Sequence, residues 1–361
     1  MNYLLFCKII ITMSTHEYIL NNYDKYKTYY EYDIMYFLKT NKMIVPEKYS
    51  VLDPSIASYN IGNSIIRDAI ESQLLELFPD DFIIRLPMAN IKTNARKYVA
   101  SSKLTFVGGT NALNCDIRRY HQLDLSFHNI MILRRLVLMG VGWWQYENRN
   151  ISAYTKWAYN RILSRDYIHS VRDSYTQERL REIGIDSINT GCPTLWNIND
   201  KLVKCINSKS KSDEAIVTLT DYNRNPTRDK LLLDKCSKCY AKIHLFIQGT
   251  GDVQYFSTLG HWDNIFLVAP KLEYLNNLLD SKNVDYIGTR LHAGIRSLQK
   301  GARSYIIAID NRSMEMNKDF GVPVVLEDNI NDIDSIVSQP YNLCLNIPYA
   351  NIAKWKSQFI R

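Results

Sequence analysis

Between residues 215 and 309 the chain repeats one pattern: a short apolar run, a polar turn, then a helix-length stretch. The runs are 215–219, 241–247, 265–268, 284–287 and 305–309. They are mostly apolar, broken only by residues such as Lys242, His244 and Asp285, and helical segments separate them where hairpin turns would join neighbouring antiparallel strands. Strands of that kind belong to a parallel sheet covered by helices on both sides. A similar rhythm begins upstream at Tyr59. An amphipathic helix over 65–77 ends at Phe78-Pro79, strands fall at 82–86, 103–107, within 132–141 and at 167–171, and helices cover 154–164 and 175–183. A chain of 361 residues has room for two such domains. The pattern predicts an α/β protein with a first domain over 1–200, a second over 201–345 and a terminal helix over 346–361. The Tyr- and Lys-rich stretch 14–55 reads as an N-terminal elaboration, and the polar stretch 197–213 as the linker with its adjoining loop.

Composition narrows the classes. Hydrophobic content of 46% and charged content of 22% are those of a soluble globular protein. The net charge of +7 suits an anionic substrate or a negatively charged membrane face. No Lys/Arg-dense stripe with interleaved aromatics occurs, which argues against nucleic acid as a partner. The 7 cysteines are scattered and odd in number, so a reducing compartment is expected rather than a disulfide framework. Cys236 and Cys239 form a lone CxxC without a second pair, and no cluster has metal-ligand spacing, so no metal is expected. Residues 1–13 are apolar but broken by Lys8 and too short to span a bilayer, and they read as a first buried strand, with Met13 as an alternative start. The expected location is cytoplasmic, with at most peripheral contact with the inner face of the membrane.

Chemistry concentrates at Gly288-Thr289-Arg290-Leu291-His292-Ala293-Gly294, where the strand over 284–287 turns into a helix. A helix N-terminus presents unpaired N–H groups and partial positive charge. Arg290 beside it can grip a phosphate or carboxylate, and His292 can move a proton near neutral pH. Asp310-Asn311-Arg312 forms a second polar strand end, and ligands of open α/β sheets bind at that edge.

This stretch, with Ile306-Ile307-Ala308-Ile309-Asp310-Asn311-Arg312 and Lys318-Asp319, resembles the polysaccharide pyruvyl transferase family. Further matches run in order upstream: Phe106-Val107-Gly108-Gly109-Thr110-Asn111, Ser170-Val171-Arg172-Asp173-Ser174, Thr190-Gly191-Cys192-Pro193-Thr194, Thr218-Leu219-Thr220-Asp221-Tyr222 and Gln248-Gly249-Thr250-Gly251-Asp252. The resemblance implies two Rossmann-like domains facing a central cleft, as in GT-B glycosyltransferases. It implies phosphoenolpyruvate as donor, no cofactor, and transfer of pyruvate as a ketal to two hydroxyls of a sugar in a surface-polysaccharide precursor, either free or lipid-linked. One departure stands out: Asn63 occupies the place where relatives commonly carry an acid in Asn-x-Gly-Asp.

Site expectations follow. Arg290 and His292 are the catalytic candidates. Arg172, Thr289, Arg290, Leu291, His292, Gly249 and Gly251 are the donor-binding candidates, with Arg172 facing Arg290 across the cleft. A salt bridge of Arg172 with Asp173 or Glu178 is the competing reading. Asn60, Gly62, Asn63, Gly109 and Asn111 are the acceptor-side candidates, although their glycines would equally serve tight turns. His169 and His244 lie within apolar runs and read as core histidines. The competing functions are a nucleotide-sugar glycosyltransferase on the same fold and a catalytically silent glycan-binding relative.

Overall fold

Strands β1 (Lys48–Asp53), β2 (Phe82–Pro87), β3 (Leu104–Gly108) and β4 (Leu136–Met139) pair in parallel in the order β2-β1-β3-β4 in the computed structural model, which describes residues 46–360. Successive residues of each strand feed opposite cores. Leu52, Val107 and Leu138 pack on one face, and Val51, Phe106 and Val137 on the other. That double burial is why these runs read as continuously apolar. A parallel pair, β5 (His169–Val171) and β6 (Ser187–Asn189), extends the sheet past β4. Gly140 donates to the Ser170 carbonyl and Arg172 to the Val141 carbonyl, each at 3.0 Å. Helices α1 (Gly62–Leu77), α2 (Thr93–Ser101), α3 (Phe127–Ile132), α4 (Ala153–Ile162) and α5 (Ser174–Arg181) cover this half.

Two boundaries differ from the sequence reading. Residues 48–53 fall within the stretch taken as an elaboration, yet they form β1, an interior strand between β2 and β3. Charged and tyrosyl residues upstream of β1 obscured a run that is only six residues long. The rest of the proposed elaboration, and the strand expected over 1–13, lie outside the described residues. The stretch read as a linker, 197–213, contains helix α6 (Asp200–Asn207), whose first turn is capped by Asn199 accepting from the Leu202 N–H at 3.0 Å. Leu202, Val203 and Ile206 share one face of this helix and pack on the core of the second half, but eight residues flanked by polar ones are too few for a sustained period.

The second sheet is built from β7 (Glu214–Thr218), β8 (Lys242–Phe246), β9 (Ile265–Val268), β10 (Val284–Gly288), β11 (Ser304–Ile307) and β12 (Val324–Val325), all parallel, in the order β12-β11-β10-β7-β8-β9. Helices α7 (Pro226–Cys239), α8 (Asp252–Ser257), α9 (Leu272–Ser281), α10 (Leu291–Gln299), α11 (Asn311–Phe320) and α12 (Ile333–Ser338) connect and flank the strands. The architecture is therefore α/β with two parallel sheets, as the alternation predicts. A last helix, α13 (Tyr349–Ser357), lies on the first sheet. Its Trp355 is fully buried edge-on to Phe106, with ring centroids 6.2 Å apart, and Gln358 exchanges two 2.9 Å hydrogen bonds with the backbone of Ile168. Burying one such aromatic is worth roughly 1.5–3 kcal/mol, enough to hold the chain terminus in place.

The carboxyl ends of the two sheets meet. Ile61 donates to the Gln248 carbonyl at 3.0 Å, and Arg296 pairs with Asp68 at 2.7 Å. Asp319 accepts from the Ser174 N–H at 2.6 Å, the Ser174 hydroxyl at 2.8 Å and the Asn189 amide at 2.9 Å. These contacts bring the strand-end loops of both halves to one place. Among the described residues no helix is long and apolar enough to cross a membrane.

Candidate functional site

The second sheet winds outward in opposite directions from β7 and β10, so the loops after these two strands part and leave a crevice between them. Thr220, Asp221 and Tyr222 follow β7, and Thr289, Arg290, Leu291 and His292 follow β10. The sequence motifs thus converge on the switch point of the sheet. They divide there into two groups with different electrostatics.

The first group is closed on itself. Arg290 donates Nε to the Leu219 carbonyl at 2.8 Å and Nη2 to Asp221 at 2.9 Å and Asp252 at 2.5 Å. Asp252 also accepts the N–H groups of Gln248 at 3.0 Å and Gly249 at 2.7 Å, and Asp221 accepts that of Gly251 at 3.1 Å. A Cβ at Gly249 would stand 2.6 Å from Arg290 Nη2, and one at Gly251 2.5 Å from Asp221 Oδ2. These glycines make room for the carboxylate–guanidinium knot. Gly249 and Gly251, expected on the donor side, give their N–H groups to these carboxylates. Arg290, expected as the main anion clamp, is paired here with two acidic side chains. The Thr289 hydroxyl is likewise engaged, with the Thr220 hydroxyl at 2.8 Å.

The second group is open. Arg172 ends β5 and is fully buried, yet none of its three guanidinium nitrogens has a hydrogen-bond partner. Asp173, the alternative partner, lies at 3.9 Å and uses its carboxylate to cap α5 through the Thr176 N–H at 2.7 Å. Burial pulls the Arg172 pKa down, Cys192 and Asp173 counter it, and Arg312 adds to the depression. The space above Gly142 explains how the side chain fits: a Cβ there would meet Arg172 Nη2 at 2.2 Å and Asn111 Oδ1 at 2.6 Å. Asn111 donates Nδ2 to the Trp144 carbonyl at 3.1 Å, while its Oδ1 is buried and unpartnered.

His292, in the first turn of α10, faces the same place. Burial holds its pKa well below the usual imidazole range, and Arg172 and Arg312 push it further down against the pull of Asp310. Its Nε2 lies 3.7 Å from the Cys192 sulfur. No side chain caps α10, so the N–H groups of Leu291, His292 and Ala293 point outward. Arg312 enters from the start of α11, paired with Asp310 and donating to the Tyr222 hydroxyl at 2.6 Å. Burial resists ionisation of Asp310, but Arg312 outweighs it and lowers the carboxyl pKa. Tyr120, stacked on Trp144 at 4.5 Å, completes the wall; burial raises its pKa to about 12 against the opposing pull of Arg312 and Arg172. The cluster joins the two halves: Arg172, Asn111, Tyr120 and Cys192 from the first, and His292, Arg312, Asp310 and Tyr222 from the second.

Asp310-Asn311-Arg312 reads in the sequence only as a polar strand end, whereas the structure brings Arg312, paired with Asp310, beside Arg172 and His292. Tyr120 carries no sequence signal, because an irregular loop supplies it. On the acceptor side, three candidates lie in the joint between the halves and make structural contacts. Asn60 Oδ1 accepts from the Gly62 N–H at 2.9 Å and from Gln248 Nε2 at 3.0 Å. Gly62 backs onto the same Gln248 amide. Asn63 donates to the Pro54 carbonyl at 3.0 Å and the Ser58 hydroxyl at 2.8 Å. Gly109 allows close packing against the Met139 and Gly140 carbonyls. Asn111 alone of the five reaches the open cluster. His169 and His244 are both buried; the first bonds to backbone through both nitrogens, the second to Glu214 at 2.6 Å.

A family model described as polysaccharide pyruvyl transferase matches residues 60–311. No curated protein matches the chain. Among solved structures, the chain is similar to the UDP-GlcNAc 2-epimerase of Methanocaldococcus jannaschii in complex with UDP-GlcNAc and UDP. The TM-score is 0.48 and the identity 15%, with 86% of this chain and 97% of that chain covered. It is also similar to the UDP-GlcNAc 2-epimerase of Neisseria meningitidis bound to UDP-GlcNAc. There the TM-score is 0.43 and the identity 13%, with 86% and 98% covered.

Proposed function

The chain belongs to the polysaccharide pyruvyl transferase family, and we propose that it transfers pyruvate from phosphoenolpyruvate, as a ketal, to two hydroxyls of a sugar in a surface-polysaccharide precursor. The observation that carries this reading is Arg172: a fully buried guanidinium with no hydrogen-bond partner, beside a neutral histidine and a second arginine. An unpaired buried cation is strongly unfavourable. An anion of matching size reverses that, and phosphoenolpyruvate offers a phosphate and a carboxylate close together. Arg172 takes one group by paired hydrogen bonds, and Arg312 with the first-turn N–H groups of α10 takes the other.

The chemistry then follows from charge. Burial, reinforced by the two guanidiniums, keeps His292 deprotonated without donor. The negative charge of the donor outweighs both, so His292 gains a proton as the donor arrives. That proton goes to the methylene carbon of the enol, leaving the central carbon electrophilic. One sugar hydroxyl attacks and loses its proton to the imidazole. A second hydroxyl attacks the same carbon, phosphate leaves with the remaining proton, and the ketal closes. The sugar lies against the Tyr120–Trp144 stack with Asn111 as a hydrogen-bonding group. No divalent ion is required, since the arginines supply the positive charge.

The test is phosphate release from phosphoenolpyruvate in the presence of a panel of glycans, with ketal formation read by mass. His292→Ala is expected to lower turnover by roughly 10²–10⁴-fold while the circular dichroism spectrum stays unchanged. Near-wild-type turnover in the folded variant would remove His292 from the mechanism. Turnover with a nucleotide sugar, but none with phosphoenolpyruvate, would replace the reading with glycosyl transfer.

A further inference from the structure

Cys192 and His292 come from different halves of the chain and meet where the first sheet runs into α10. The Thr194 hydroxyl donates to the Cys192 sulfur at 3.1 Å, and the sulfur lies 3.7 Å from His292 Nε2. Cys192 and Thr194 are fully buried, and Gln299 of α10 donates to the Thr194 carbonyl at 2.5 Å, tying this turn to the helix that carries His292. Among the described residues Nδ1 of His292 has no hydrogen-bond partner. The ring therefore has one nitrogen against the protein and one left for the cleft.

We propose that Cys192 is a positioning residue for His292, holding Nε2 in both ring states so that Nδ1 is the nitrogen that exchanges a proton with the donor. A thiol can both donate and accept. When the ring is neutral, the unprotonated Nε2 is the best acceptor within reach of the S–H, and the Thr194 hydroxyl gives the sulfur its second hydrogen bond. When the ring is protonated, Nε2–H donates to the sulfur and the S–H turns to the Thr194 oxygen. Neither state requires the ring to move. His169 shows what other partners would do. Its Nδ1 accepts from the Leu138 N–H at 3.1 Å and its Nε2 faces the Ser164 carbonyl at 3.0 Å, which fixes one neutral tautomer. Backbone groups have one role each, whereas a thiol next to a rotatable hydroxyl has two. The charged groups facing His292 are Arg172 at the end of β5 and Arg312 and Asp310 at the start of α11. Arg172 also lies within electrostatic reach of the Cys192 sulfur, so a change of donor occupancy is felt by the whole Cys192–His292 pair. The identity of the donor rests on the pyruvyl-transfer reading; the geometry of the ring does not.

Long-range ¹H–¹⁵N spectra of the full chain, with the His292 signals assigned by their loss in His292→Gln, read the tautomer directly. At pH 7.5 without donor, the expected state is Nδ1 protonated and Nε2 bare. Cys192→Ala should give a mixture of tautomers, and Cys192→Ser should restore the wild-type state. Calorimetry with phosphoenolpyruvate in two buffers of different ionisation enthalpy should show uptake of about one proton per donor bound. Cys192→Ala should lose more than half of that uptake. Thr194→Val, which keeps shape but removes the hydroxyl, should keep the tautomer and lose uptake, and it stands in if Cys192→Ala fails to fold. An Nε2–H tautomer in the wild type, or an unchanged tautomer in a folded Cys192→Ala, overturns the proposal. Failure of phosphoenolpyruvate to bind the wild type would instead count against pyruvyl transfer, with the tautomer arms still deciding the role of Cys192.

Discussion

Arg290 and Arg172 are both buried arginines at strand ends, and they differ in everything that decides what an arginine does. Arg290 is ringed by Asp221, Asp252 and the Leu219 carbonyl, all from its own half. Arg172 has no hydrogen-bond partner and looks across the joint at His292 and Arg312. The two buried histidines repeat the contrast. His169 has both ring nitrogens bonded to backbone, and His292 has one nitrogen on a thiol and one free. The satisfied pair holds loops in place, and the unsatisfied pair leaves polar atoms facing the cluster between the halves. Buried polar groups in proteins are nearly always hydrogen-bonded, so exceptions that cluster point to function.

The sharpest way to break the contrast is to remove the satisfied arginine. Arg290→Met leaves Asp221 and Asp252 close together without their cation. Losing one partner of a buried ion pair costs about 3–5 kcal/mol. Urea unfolding should show a loss of that size, and the loop at Gly249 and Gly251 should lose protection in hydrogen exchange. An unchanged midpoint would mean that the knot is not structural and would return Arg290 to the anion site.

The histidine contrast predicts a pH dependence. Burial lowers the His169 pKa to about 4 from an ordinary value near 6.5, with the Ser164 carbonyl opposing weakly. The unfolded chain therefore takes up the proton first, and stability falls as pH drops from about 6.5 towards 4. At 1.36 kcal/mol per unit, the full loss from this one group is about 3 kcal/mol, and above pH 7 it contributes nothing. Unfolding free energies at pH 7 and pH 4.5 should show the decline, and His169→Gln should flatten it. An equally steep profile in the variant would assign the acid sensitivity to other groups, His292 foremost.

How much of this was legible in the sequence depends on whether a signal is local. The five runs of the second half announce their strands, because burial leaves only isolated polar residues such as His244 and Asp285 within them. β1 was hidden by its surroundings, and α6 because its apolar face of Leu202, Val203 and Ile206 spans only eight residues within a polar stretch. At the site, His292 and Arg172 were visible as strand-end residues in motifs. What could not be read was which arginine would be neutralised. Asp221 and Asp252 lie on separate loops, and their meeting on Arg290 is a property of strand order, β8 beside β7 beside β10. Arg312 gained its role in the same way, through β11 beside β10.

Removing the unsatisfied arginine should act on binding more than on stability. Arg172→Met deletes a buried charge whose nearest carboxylate, Asp173 at 3.9 Å, keeps its bond from the Thr176 N–H, so the loss of stability in the absence of donor should be well below that of Arg290→Met. Affinity for phosphoenolpyruvate should fall at least tenfold, because charge-assisted hydrogen bonds contribute roughly 1.5–3 kcal/mol. Calorimetric titration and thermal melts, with and without the donor, measure both halves of the claim. A large loss of stability with affinity retained would make Arg172 structural and erase the distinction from Arg290.

The smallest expected effect tests where the open cluster stops. Asn63 sits where the family resemblance expects an acid, and its amide donates to the Pro54 carbonyl at 3.0 Å and the Ser58 hydroxyl at 2.8 Å. A carboxylate cannot donate. In Asn63→Asp the Ser58 hydroxyl can turn and donate to the new acid, but the Pro54 carbonyl loses its partner and faces a negative charge. Asn63 is half-buried, so water softens the penalty, and the loss should be about 1 kcal/mol, the net value of one hydrogen bond. The loop carrying Pro54 and Ser58 makes its contacts within the first half, apart from Arg172, Arg312 and α10, which are proposed to hold the donor. Donor affinity should therefore stay within twofold of wild type while the unfolding midpoint shifts slightly down. A tenfold change in affinity without a change in stability would show that the acceptor-side loop reaches the donor, and the boundary between the structural and the open groups would then have to be redrawn to include Asn60 and Asn63.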